Sequence, residues 1–342
     1  MRTQFQRIFF DITGNCNAKC PWCMSGLYAI INKNFITPET FTKILDVLKA
    51  NNALAPNGVL ALYLWGEPFI HPKLNELCQI INNYPFPYSF STNASKVPKI
   101  DKTFVKNLDH IIFSMPGFSQ NAYDREHGFK FDKIKQNVET IVKECRAHGY
   151  RKDFIIGYHV YQFNLEELPQ CEEWANKLNI SFRPGYAIIN NWWHVNGWID
   201  NTLKPDVLKK ISEDLFCFDI EKKIKESPKD YYCPQYNLLA VDELGNVLNC
   251  CQVPKEKAFF RGNLLTDNYQ DILSARIKND VCKKCTESGL AYYLNNSLNT
   301  PKFYRRSLSQ TIKYWQTRVN RAILDPQRTI KILSEKLHAK TS

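Results

Sequence analysis

The sequence has no stretch of ~18 apolar residues, which excludes a membrane-spanning helix. The opening MRTQFQRIFFDITGNC has too short an apolar run for a signal peptide. Together these imply a cytoplasmic protein. Repeats of the solenoid type are missing as well. Acidic side chains are scarce at one end. From Thr300 to Ser342 there are ten Lys/Arg and two Asp/Glu, so most of the formal charge of +11 sits in the tail. The nearly neutral remainder argues against nucleic-acid binding by the whole protein.

What is abundant is cysteine, 12 in 342 residues. Thiols stay reduced in the cytosol, so closely spaced cysteines point to metal or cluster binding rather than disulfides. Six β-type runs stand in the first half: Arg7–Ile12, Val59–Leu64, Tyr88–Ser91, His110–Ser114, Phe154–Tyr161 and Ile180–Arg183. Helical patterns lie between them, among them Thr37-Pro38-Glu39 with Phe41, Ile44, Leu45 and Leu48 at helical spacing. The alternation implies parallel βαβ units. From about residue 215 the texture changes. Leu238–Val241 and Val247-Leu248 around Gly245-Asn246 read as a hairpin, and the chain after Ser288 reads as helical and basic.

Cys16, Cys20 and Cys23 place three thiolates in eight residues just after a strand. A structural zinc site normally takes four ligands, whereas a four-iron cluster on three cysteines leaves one iron open. A zinc site completed from elsewhere, or three buried thiols, is the alternative reading. Cys233, Cys250, Cys251, Cys282 and Cys285 form a second group, four of which are able to close a full coordination shell. Zinc is the alternative there too.

The spacing C-x3-C-x2-C resembles the signature of the radical SAM superfamily. Ordered motifs support the resemblance: Gly66-Glu67-Pro68 is similar to the family's GGEP, with Trp65 in place of glycine. Thr92-Asn93 resembles its T-N-G segment, and Ser114-Met115-Pro116-Gly117 its S-x-D-G, with Pro116 replacing the acid. The resemblance covers roughly residues 5–190. It implies a partial (β/α)6 TIM-like barrel over residues 1–200. There a [4Fe-4S] cluster on Cys16, Cys20 and Cys23 holds S-adenosylmethionine (SAM) and reduces it to a 5′-deoxyadenosyl radical. It further implies that Trp22, Gly66, Glu67, Pro68, Thr92, Asn93 and Ser114 contact that cofactor. Asn164 and Arg183 fall where strand ends face the pocket. Arg183 suits a carboxylate or phosphate, or a surface ion pair.

Residues 201–290 are similar to the SPASM/twitch appendage of such enzymes, with one auxiliary [4Fe-4S] cluster on Cys233, Cys250, Cys282 and Cys285. Cys250 is the expected ligand and Cys251 its neighbour. The aromatic and amide-rich segment Tyr186–Trp198, with Tyr186, Asn191, Trp192 and His194, reads as a substrate wall or as inter-domain packing. Residues 291–342 form the basic amphipathic tail, which suits docking on the body, an anionic membrane or a partner.

The expected activity is oxidation of a sugar-type or other small metabolite, with an electron donor such as flavodoxin or ferredoxin. The barrel is expected to begin within the first dozen residues with no leader-binding domain fused before it, an expectation that favours a small molecule over a ribosomal peptide. The rival from another class is a zinc-stabilised binding module with a basic tail.

Overall fold

The computed structural model describes residues 4–27, 34–187, 189, 192–216, 220–228, 230–277, 279–296 and 319. Asn191 and nearly all of the basic tail therefore lie outside the described residues.

Nine strands form a single sheet: β1 (Phe5–Phe10), β2 (Leu54–Ala61), β3 (Tyr88–Thr92), β4 (Leu108–Met115), β5 (Phe154–Val160), β6 (Ser181–Tyr186), β7 (Leu238–Val241), β8 (Asn246–Leu248) and β9 (Phe260–Asn263). Their order is β6-β5-β4-β3-β2-β1-β7-β8-β9. β1 to β6 are parallel throughout. The connections carry α1 (Met24–Leu27) and α2 (Pro38–Ala50), then α3 (Leu74–Ile81) and α4 (Lys102–Val105). α5 (Gln120–Arg125), α6 (Phe131–Ala147) and α7 (Leu168–Lys177) complete the βα array. α2 starts as its sequence requires, with Thr37 accepting from the Thr40 amide and Pro38 in the first turn. Its buried face is Phe41, Ile44, Leu45 and Leu48.

The register separates two faces. Ile8, Phe10, Leu60, Tyr88, Phe90, Ile111, Phe113, Ile156, Tyr158 and Phe182 turn to the helices and form the main core. The opposite face is mixed, with Phe9, Ile112 and Ile155 among smaller and polar positions. Ser114, Gly157 and Arg183 lie side by side in one row across β4, β5 and β6, with Ser91 and Ile112 paired next to it.

The C-terminal hairpin does not form a sheet of its own. β7 pairs parallel with β1, Arg7 to Leu238 and Phe10 to Val241, and continues into antiparallel β8 and β9. α8 (Trp192–Ile199), α9 (Pro205–Asp214) and α10 (Ile220–Lys225) precede the hairpin, and α11 (Tyr269–Ile277), α12 (Asp280–Glu287) and α13 (Leu290–Asn296) follow it. Val195 of α8, Ile211 of α9 and Leu290, Tyr293 and Leu294 of α13 build a second core with Trp22 and Tyr161. These helices close over the cysteine loop. No described helix is long and apolar enough to cross a membrane.

Candidate functional site

The loop after β1 brings Cys16, Cys20 and Cys23 together. Burial pushes the Cys16 thiol up to about 12 and the Cys20 and Cys23 thiols upward too, and Cys16 and Cys23 add to the rise at Cys20. The Ala18 amide donates to Cys16, and the Ser25 and Gly26 amides donate to Cys23. Gly26 is demanded by this fold-back, because a Cβ there would stand 2.2 Å from the Cys20 carbonyl oxygen.

The loop after β2 lies against the cysteine loop. A Cβ on Gly66 would stand 2.0 Å from the Thr13 carbonyl oxygen, so only glycine lets the two backbones approach. Ser25 Oγ donates to the Trp65 carbonyl at 2.6 Å, and the Glu67 amide donates to the Asn15 carbonyl at 2.7 Å. The Glu67 carboxylate is 3% exposed. Its Oε1 accepts from Thr92 Oγ1 at 2.6 Å and from the Phe69 amide at 3.0 Å; its Oε2 accepts from the Asn93 amide at 2.7 Å. Burial pushes Glu67 up to about 7 in spite of these donors. Asn93 Nδ2 in turn donates to Asn17 Oδ1 at 3.1 Å, within the cysteine loop. Glu67, Thr92 and Asn93 thus join three strand ends into one rim. Pro68 is buried in the first turn of a 3₁₀ helix over Pro68–Ile70.

Ser114 and Arg183 share a row across Gly157 on the open face, and Arg183 is exposed there. Asn164 is fully buried and is spent within the fold. Its Nδ2 donates to the carbonyls of Pro116 and His159, and its Oδ1 accepts from the Tyr161 amide at 2.9 Å. The loop after β4 draws its carboxylate from elsewhere. Glu167 accepts from the Phe118 amide and Ser119 Oγ, next to the position where Pro116 supplies no acid.

Sequence reasoning passed over two residues at this mouth. Glu126, 2% exposed, accepts from Tyr161 Oη at 3.0 Å, and burial pushes it up to about 8. Burial, with His159 nearby, pulls His127 down to about 3, leaving a neutral ring. Glu126 Oε1, His127 Nδ1 and Trp22 Nε1 are all buried without a protein partner. His194 packs edge-on to Trp22, with ring centroids 6.1 Å apart. Tyr186 packs on Phe216 instead.

A second set of thiols lines a pocket, with Cys233, Cys250, Cys282 and Cys285 beside Tyr236 and Trp192. Cys282 and Cys285 share one face of α12 at i, i+3. Asn279 caps that helix, accepting from the Cys282 amide at 2.9 Å. Asn249 Nδ2 lies 3.4 Å from the Cys282 sulfur and Asn295 Nδ2 3.7 Å from that of Cys233. Cys251 turns away and donates to Gln235 Oε1 at 3.0 Å. Beneath the thiols lies Arg276, 3% exposed, whose Nη2 donates to the Leu238 carbonyl at 2.7 Å. Among the described residues no three His, Cys, Asp or Glu side chains converge on a single-ion site.

The family model of the radical SAM superfamily matches residues 10–172. Over these residues the chain is similar to a radical SAM domain. The chain is 24% identical over 136 residues to a probable GTP 3′,8-cyclase of Thermococcus kodakarensis, covering 39% of this chain and 42% of that protein. It is 22% identical over 153 residues to a SAM-dependent nucleotide dehydratase of the Thermoplasmatales archaeon ISO4-H5, covering 43% of this chain and 51% of that one. The chain thus spans about half or less of the curated relatives it matches.

In fold it is similar to Streptococcus suis SuiB bound to SAM, with TM-score 0.55 at 15% identity over 89% of this chain and 75% of that one. It is also similar to native anSMEcpe with bound AdoMet, with TM-score 0.53 at 12% identity over 96% of this chain and 99% of that one.

The residues of this region fit the cofactors that the matched family implies. Three half-buried thiols on one short loop, all pushed upward by burial, suit a bound cluster that would hold them as thiolates. Glu126, whose Oε1 has no protein partner, lies close enough to raise the Cys20 thiol.

Proposed function

We propose that this protein is a radical SAM enzyme with one auxiliary [4Fe-4S] cluster, of the SPASM/twitch kind, that oxidises a small polar metabolite such as a sugar. The observation that carries the reading is at the start of α8. Trp192 lines the cavity of the second thiol set, and His194, two residues on, packs on Trp22 in the first. One helical turn spans the two cysteine sites.

When bound, the first cluster and SAM supply reductive cleavage of the sulfonium bond and removal of a hydrogen atom from a substrate carbon. The chain's residues do the rest. Cys16, Cys20 and Cys23 hold the first cluster, and the rim of Gly66, Glu67, Thr92 and Asn93 positions SAM. Ser114 and Arg183, in one row on the open face, offer a hydroxyl and a cation to carboxylate or phosphate groups. Trp22, Tyr161 and the second core exclude water above the loop. Cys233, Cys250, Cys282 and Cys285 hold the auxiliary cluster, with full ligation suited to electron transfer. A flavodoxin- or ferredoxin-type donor supplies the reducing electron, and the basic tail meets an anionic surface or partner.

The test is 5′-deoxyadenosine release by the reconstituted enzyme under reductant. Cys20→Ala is expected to abolish release and retain the second cluster. Cys282→Ala is expected to retain SAM binding and lose substrate oxidation. Undiminished release in Cys20→Ala overturns the role of that loop, and undiminished oxidation in Cys282→Ala overturns the auxiliary role.

A further inference from the structure

Lys255 stands in the turn after the C-terminal hairpin, far from the cysteine loop in sequence. Its side chain is 5% exposed, and its Nζ lies 2.7 Å from Asp11 Oδ2 and 2.6 Å from Glu243 Oε2. Both carboxylates are buried, at 1% and 0% exposure. Asp11 closes β1, and Oδ2 also accepts from the Trp65 amide at 2.9 Å and the Gly66 amide at 3.1 Å. A second tie runs beside the first. Trp65 Nε1 donates to the Val253 carbonyl at 3.2 Å. The residue that departs from the usual glycine of the motif is therefore the one that reaches the appendage.

We propose that Lys255 is a positioning residue that locks the Trp65-Gly66-Glu67 loop to the C-terminal hairpin, so that the SAM rim takes its shape from the appendage. The inference rests on the reading above that this loop holds SAM.

The physical reasoning is a charge balance. One ammonium sits between two buried carboxylates, and Glu243 Oε1 has no protein partner. Burial pulls the Lys255 ammonium down, but Asp11 and Glu243 more than reverse this, so the lysine stays charged. Without the ammonium, two buried carboxylates face each other uncompensated. One of them must take a proton or move away. If Asp11 yields, the acceptor that fixes the Trp65 and Gly66 amides weakens, and the Glu67 peptide is the next link.

The test uses the full-length reconstituted protein and two readouts: SAM affinity by equilibrium dialysis, and amide hydrogen exchange over residues 62–70 without SAM. Lys255→Met is expected to weaken SAM binding by ~10–100-fold and to speed exchange at residues 65–67, with iron content unchanged. Lys255→Arg is expected to restore part of both. Lys255→Met/Glu243→Gln is expected to do less harm than Lys255→Met alone, because it removes one of the opposed charges.

SAM affinity within about two-fold of wild type, with unchanged exchange, overturns the proposal. Should Lys255→Met fail to fold, Trp65→Phe decides on the same readouts, since it removes the bond to Val253 and leaves the charges. A wild-type protein that binds no SAM overturns the functional reading instead. The exchange rates then still show whether Lys255 holds the loop.

Discussion

Replacing Arg276 by methionine removes a buried cation from beneath the auxiliary thiols. Burial pulls this guanidinium down, and Cys250 and Cys282 push it back up, so the charge and the thiols belong to one electrostatic unit. Its Nη2 bond to the Leu238 carbonyl is 2.7 Å long. Losing that hydrogen bond from a charged donor costs ~1–3 kcal/mol of stability. The electrostatic effect is separable. A unit charge within ~8 Å of a cluster, at an effective dielectric of ~20, is worth ~2–3 kcal/mol. For a one-electron couple that is ~90–130 mV.

Loss of a positive charge disfavours the reduced, more negative cluster, so the potential falls. The assay is a redox titration followed by electron paramagnetic resonance in a Cys16→Ala/Cys20→Ala/Cys23→Ala background, where only the auxiliary cluster remains. Arg276→Lys is expected to shift the potential less than Arg276→Met. A potential within about 20 mV of the parent, with the cluster intact, refutes the assignment of Arg276 as its counter-charge.

Gly66→Ala places a Cβ 2.0 Å from the Thr13 carbonyl oxygen, so the loop must move. SAM affinity is expected to fall by at least ~10-fold in equilibrium dialysis while the visible absorption of the auxiliary cluster persists. Glu126 gives a pH prediction. Its folded-state pKa of about 8 lies above the unfolded value of 4.5. Its contribution to stability is therefore complete below pH ~4.5 and is lost as pH rises through about 8. In urea denaturation of cluster-free protein, Glu126→Gln is expected to flatten the decline between pH 5 and 8. An unchanged slope contradicts the buried carboxyl.

The strands that were legible in the sequence are those whose apolar runs stand between turn signals, such as Tyr88–Ser91 and Phe154–Tyr161. β2 was less so. The run expected there was Val59–Leu64, yet the strand begins at Leu54, crosses Pro56-Asn57-Gly58 and ends at Ala61. The register absorbs the conflict by a shift, Phe5 pairing with Leu54 and Arg7 with Val59. The segment Trp192–Ile199, expected as a substrate wall or inter-domain packing, forms a helix whose Val195 enters the second core. The hairpin was legible, but its place beside β1 was not, since pairing between residues some 230 apart leaves no local trace.

At the site, cysteine spacing and the ordered strand-end motifs marked thiols, glycines and rim residues, because such chemistry needs fixed residue types. Glu126, Lys255 and Arg276 had no such mark. Each is a single charged residue whose burial is decided by tertiary packing.

The central claim, two iron–sulfur sites on two cysteine sets, is tested most directly by one count. Iron, sulfide and zinc are measured per chain on the full-length protein reconstituted without oxygen. About eight irons with matching sulfide and little zinc is the predicted result. About one or two zincs with little iron would contradict it and favour a zinc-stabilised binding module.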